Sequence, residues 1–74
     1  MTTEQVIIEA RKQIGLLEKN YLGEIKESSA RLCLTDAVTA FDAGDYETAR
    51  RRAIKSLAYS VGILHPVYRK AVAK

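Results

Sequence analysis

The chain has no tryptophan and only one cysteine, one histidine and one proline. Each scarcity closes off something. A lone Cys33 permits no disulfide within the chain, and a reducing compartment is the simplest setting for it. Cys33 and His65 together fall short of the four Cys or His ligands of a closed zinc site. Asp36 lies three residues from Cys33 and could share its face, but it adds only one oxygen ligand. Nucleophilic catalysis needs a nucleophile, a base and an orienting group, and a single histidine at no telling spacing does not supply them. Neither a Gly-x-Gly-x-x-Gly nor a Gly-x-x-x-x-Gly-Lys phosphate loop is present. The carboxylate pairs Glu24 with Glu27 and Asp42 with Asp45 read as solvent-facing charges or helix caps. We therefore expect no catalytic residue, no metal, no cofactor and no enzymatic activity.

Long apolar runs are missing too. No stretch approaches about 18 uninterrupted apolar residues, so no membrane-spanning helix is expected. The opening MTTEQVIIEA lacks the basic start and long apolar segment of a secretory signal. The expected location is cytoplasmic.

What remains is ordinary globular material. Seventy-four residues make a single domain, 1–74, and 47% apolar with 28% charged residues is the usage of a folded chain. At this length folding buries roughly 60% of the unfolded surface. The core is thin, and self-association is an expected source of further stability. Abundant Ala, Leu, Ile, Glu, Lys and Arg favour helix.

Apolar spacings of three and four define the helices. The first begins after Thr2 or Thr3, with Thr3 as cap, and carries the stripe Ile7, Ala10, Ile14, Leu17, Tyr21, widened by Val6 and Ile8. Gly15 within it marks a close helix crossing or a tolerated surface site. Asn20 and Gly23 suggest a break within residues 20–24, with Ser28 or Ser29 capping the next helix; one kinked helix running through is the alternative. The second helix carries Ala30, Leu34, Ala37 and Phe41, flanked by Leu32, Cys33, Val38 and Ala40. Gly44 then fits the left-handed position after a helix end, and Asp45 the N-cap of a third helix, with Glu47 in its first turn. So short a connection makes helices two and three antiparallel neighbours. Tyr46, Ala49, Ala53, Leu57 and Leu64 share one side of helix three, extended by Ile54 and Val61. The chain yields near Gly62 to His65, where Pro66 fits the first turn of a new helix or a kink in a continuing one, and a short basic terminal helix follows that docks through Val67, Ala71 and Tyr68.

The segment Cys33 to Val61 resembles the tetratricopeptide repeat and related helical-hairpin modules. Gly44, Tyr46 and Ala49 match the family's Gly-x-Tyr-x-x-Ala turn, and Ala37 and Ala40 match its small first-helix positions. Ala53 stands where the family usually has an aromatic, Ser56 where it has alanine, and Val61 where it has proline. The resemblance implies a helical hairpin suited to protein contacts, with no ligand residues to carry over.

Charge is uneven. Residues 1–37 hold five basic against six acidic residues, a net of −1, and residues 38–74 hold seven against three, a net of +4. The basic half contains Arg50-Arg51-Arg52, which a helix splits apart. Taking Tyr46 as zero, a step of about 100° per residue puts Arg50 near 40°, Arg51 near 140°, Lys55 near 180°, Tyr59 near 220° and Arg52 near 240°. Arg51, Arg52, Lys55 and Tyr59 share the polar side, where they suit an acidic protein, a phosphate backbone or plain solvent, and Glu47 can pair with Arg51. Arg50 falls inside the apolar arc. There it must snorkel, pair with a carboxylate or meet a partner, because a lone buried guanidinium is costly.

These features predict an all-α antiparallel bundle of three longer helices with a short C-terminal helix. The expected role is a non-enzymatic protein–protein interaction or adaptor module that self-associates. Arg50, Arg51, Arg52, Lys55 and Tyr59 are the candidate contact residues. The alternative is a nucleic-acid-binding or regulatory protein using the same basic face.

Overall fold

Four helices follow one another in the computed structural model: α1 (Thr3–Asn20), α2 (Glu24–Asp42), α3 (Tyr46–Ser60) and α4 (Pro66–Val72). Backbone is described for residues 1–20 and 24–73, and side chains for 1–17 and 28–73. The first three helices form the expected bundle and the fourth is short. The break anticipated within residues 20–24 turns on residues 21–23, which lie outside the described residues, as does Tyr21.

Local chemistry accounts for most boundaries. Thr2, not Thr3, caps α1: the Gln5 N–H donates to Thr2 Oγ1 at 3.2 Å and the Thr2 N–H donates to Gln5 Oε1 at 2.8 Å. This reciprocal pair is a capping box, whose threonine and glutamine stand at the required spacing of three. Ser28 and Ser29 cap nothing. Both lie inside α2, which reaches back to Glu24 because residues 24–27 contain no strong helix breaker.

The α2–α3 turn is as expected and tighter. Asp45 N–H donates to Ala40 O at 2.9 Å and Gly44 N–H to Phe41 O at 3.0 Å, the paired bonds of a Schellman motif. Gly44 sits at φ +81°, the left-handed value this motif requires. Asp45 then begins α3 by accepting the Thr48 N–H at 3.2 Å. One residue thus closes α2 and opens α3.

The core is built largely from alanine. Val6, Ile7 and Ala10 of α1 meet Ala37 of α2, Ala49, Ala53 and Leu57 of α3, and Ala71 of α4. Small side chains bring the helix backbones close, and α2 and α3 share the most extensive interface. Ser56, fully buried, donates its hydroxyl to Ala30 O at 2.8 Å across that interface. A hydroxyl here replaces a methyl at no polar cost because it finds a carbonyl already in reach. Cα positions span 33 × 23 × 14 Å, the shortest being the depth of two packed helices. Leu57 and Val6 are the largest fully buried apolar side chains, so the interior is as thin as the length implies.

Several assigned core positions lie outside it. Ile8 and Leu32 are exposed, each on the far side of its helix from the core alanines. Leu64 does not share the buried side of α3: the helix ends at Ser60, Gly62 turns the chain at φ +90°, and Leu64 stands 78% exposed beyond the turn. The helical wheel failed there because it presumes a helix that has already stopped. Tyr46 is also exposed, yet its ring meets Phe41 edge-on at 5.0 Å and braces the hairpin from outside. Gly15 marks no helix crossing, since a Cβ there would meet nothing within 4 Å.

Candidate interaction surface

Arg50 leaves the apolar side of α3 and ends in two backbone carbonyls. Its Nη1 donates to Met1 O at 2.6 Å and its Nη2 to Ala71 O at 3.1 Å. The carboxylate partner weighed from sequence is replaced by these oxygens. Ala71 lies in the last turn of α4, where carbonyls have no intrahelical donor and a cation is favoured. The guanidinium fork reaches α1's leading residue and α4 at once, which a point-charge lysine could not do in the same way. Arg50 as a whole is half-buried.

The other four candidates face outward. Arg51, Arg52 and Lys55 surround one shallow depression with Thr48, and Tyr59 is exposed one turn beyond Lys55. Arg51 Nη2 donates to Thr48 Oγ1 at 3.4 Å. Thr48 in turn holds the Asp45 carboxyl below the ordinary carboxylate range, first through its side chain and then through its backbone N–H, with the Arg51 charge adding to both. Arg52 and Lys55 have no hydrogen-bond or ion-pair partner among the described residues. The pairing of Glu47 with Arg51 allowed by spacing is not among the observed contacts. The ridge therefore carries three positive charges, of which Arg51 acts on Asp45 and Thr48 while Arg52 and Lys55 have no partner among the described residues.

Cys33, on α2, is buried. His65 is a helix cap: its Nδ1 accepts the Val67 N–H at 3.1 Å, with Pro66 at the first helical position of α4. Among the described residues no group of three or more His, Cys, Asp or Glu is placed to hold a metal ion. No described helix is long and apolar enough to cross a membrane. Among the described residues, one further shallow depression lies between α1 and α2 over Ile14 and Leu34, and another between the start of α1 and α4, lined by Met1, Gln5, Ile8, Glu9 and Lys70.

Sequence reasoning brought Arg51, Arg52, Lys55 and Tyr59 onto one face and set Arg50 apart. It missed the adjacent pair Ile63 and Leu64, exposed at 62% and 78%. Their signal was two large apolar residues between a glycine and a His-Pro cap, a place where turn residues are usually small or polar. No family model, no curated protein and no solved structure matches this chain.

Proposed function

We propose that this chain is a small non-enzymatic interaction module that self-associates, its α2–α3 hairpin being of the tetratricopeptide-like kind. The observation that carries the reading is the exposure of Ile63 and Leu64 side by side on a domain with so thin a core. Single exposed apolar residues are ordinary, but an adjacent pair at a loop tip gains free energy from any partner that covers it. Sedimentation velocity over the micromolar range tests this: a concentration-dependent dimer is expected, and a monomer throughout overturns it.

The basic ridge favours a second reading, contact with a nucleic-acid backbone. Three cations, two of them without described partners, set around one depression beside an exposed tyrosine, suit phosphates and a stacked base. Three charges are few. They would give a slope of log K against log salt of about −2 to −3, well short of the 6–10 phosphate contacts of tight binders. A titration with single-stranded DNA and RNA at two salt concentrations decides it, and no binding at low salt removes the reading.

A further inference from the structure

The α3–α4 junction has the properties of an exchange hinge. α4 is attached through Ala71, which is buried, through Val67 and Tyr68, which are half-buried against the core, and through the Arg50 bond to Ala71 O. All of these contacts are made by α4 itself. None uses the linker, and the Arg50 bond reads a main-chain oxygen. An α4 from a second copy would meet the same contacts in the same place.

The linker is different. Residues 61–65 form a tight turn held by Gly62 at φ +90° and a His65 N–H to Gly62 O bond at 3.3 Å. Within this closed turn Ile63 and Leu64 bury little. Gly62 meets the turn's left-handed requirement, but the turn leaves two large apolar side chains, Ile63 and Leu64, without cover in the monomer. If the linker opens, α4 reaches a neighbouring copy. Two such linkers then run past each other at the two-fold axis, which sets the two Ile63–Leu64 pairs face to face. Because the α4 contacts recur unchanged, the balance in the parent chain is left to the burial gained at the hinge and the cost of association, whereas a linker too short to close leaves the α4 contacts themselves to the dimer alone.

We infer that the chain dimerises by exchanging α4, so that each copy's α4 lies on the partner's α3 and the two hinge pairs cover one another. This rests on the self-association reading and names its geometry.

Two hinge variants separate this arrangement from a dimer that merely stacks its exposed apolar residues. The first deletes Ile63 and Leu64, leaving a linker too short for α4 to fold back on its own α3. The second inserts Gly-Ser-Gly-Ser after Gly62, keeping both apolar residues but freeing the turn. Both are measured by sedimentation velocity beside the parent chain, with helicity checked by circular dichroism. Exchange predicts a dimer Kd roughly tenfold lower for the deletion and roughly tenfold higher for the insertion. Stacking without exchange predicts the reverse for the deletion, loss of the dimer, and no change for the insertion; either result overturns the proposal while leaving self-association standing. A parent chain that is monomeric throughout overturns both. Should the deletion variant fail to fold, the insertion variant decides alone.

Discussion

The two turns flanking α3 are built from the same parts and differ in what they expose. Each follows a helix end, each has a glycine in the left-handed region, and each is closed by a side chain that caps the next helix: Gly44 with Asp45 before α3, Gly62 with His65 before α4. At the first turn the chain exposes Ala43, Gly44 and Asp45, which water tolerates. At the second it exposes Ile63 and Leu64. The first turn joins the two helices with the largest shared interface, whereas the second joins α3 to a seven-residue helix held by few side chains. Similar local geometry therefore serves two ends: one turn locks a hairpin and the other connects an element that can leave.

Removing the cation that ties α4 and Met1 to α3 should have the largest effect. Arg50→Met keeps the stem but deletes both bonds, leaving Ala71 O and Met1 O without their donor. We expect a loss of about 2 kcal/mol in urea unfolding, with faster hydrogen exchange at the α4 amides than in the α2–α3 hairpin. Arg50→Lys should recover only part of this, because one ammonium cannot fork to two carbonyls. Equal loss of protection everywhere would mean that α4 is not a separable element.

The paired glycine substitutions test the contrast itself. Alanine in a left-handed conformation costs about 1–2 kcal/mol. Gly44→Ala should pass that cost to global stability, since the hairpin cannot relax without separating α2 from α3. Gly62→Ala should spare much of it, because the chain escapes by releasing α4. It should instead raise exchange at the amides of residues 69–73. Equal global losses would erase the distinction.

A smaller effect is expected inside the hairpin. Ser56→Ala removes one buried hydrogen bond to Ala30 O and should cost about 1 kcal/mol, read by urea unfolding. The loss is small because Ala30 O belongs to a helix and the methyl fits an interface already lined by alanine.

The smallest concerns Asp45. Its carboxyl is held below the ordinary range by Thr48, so its contribution to stability is fully present above the ordinary carboxylate value of about 3.9 and is lost as pH falls through the lowered one. Asp45→Asn should flatten that acid-side decline while barely changing stability at neutral pH, since asparagine also caps. A thermal unfolding series from pH 6 to pH 2 reads both.

How much of this was legible beforehand depended on the range of the interaction. Gly44 and Asp45 were read correctly, and Pro66 stands in one of the two places open to it, because their roles involve residues within five positions, and backbone sterics and cap geometry act over that distance. Thr2 and Gln5 were equally legible and were passed over for Thr3. Burial patterns held at Ala49, Ala53 and Leu57, failed at Leu64, where the helix had stopped, and were drawn too wide at Ile8 and Leu32, which flank the stripe on continuous helices. The outward grouping of Arg51, Arg52, Lys55 and Tyr59 also followed from periodicity alone.

By itself, then, the sequence determined the helices, their caps and the faces they present, because those follow from local sterics and a fixed angular step. Only the tertiary structure decided where Arg50 goes. The wheel set it on the apolar side and could say nothing of Met1 O and Ala71 O, which lie 49 and 21 residues away. It decided likewise that Ile63 and Leu64 stand uncovered. Both outcomes depend on which backbone atoms packing brings within reach, and no rule that counts along one helix contains that information.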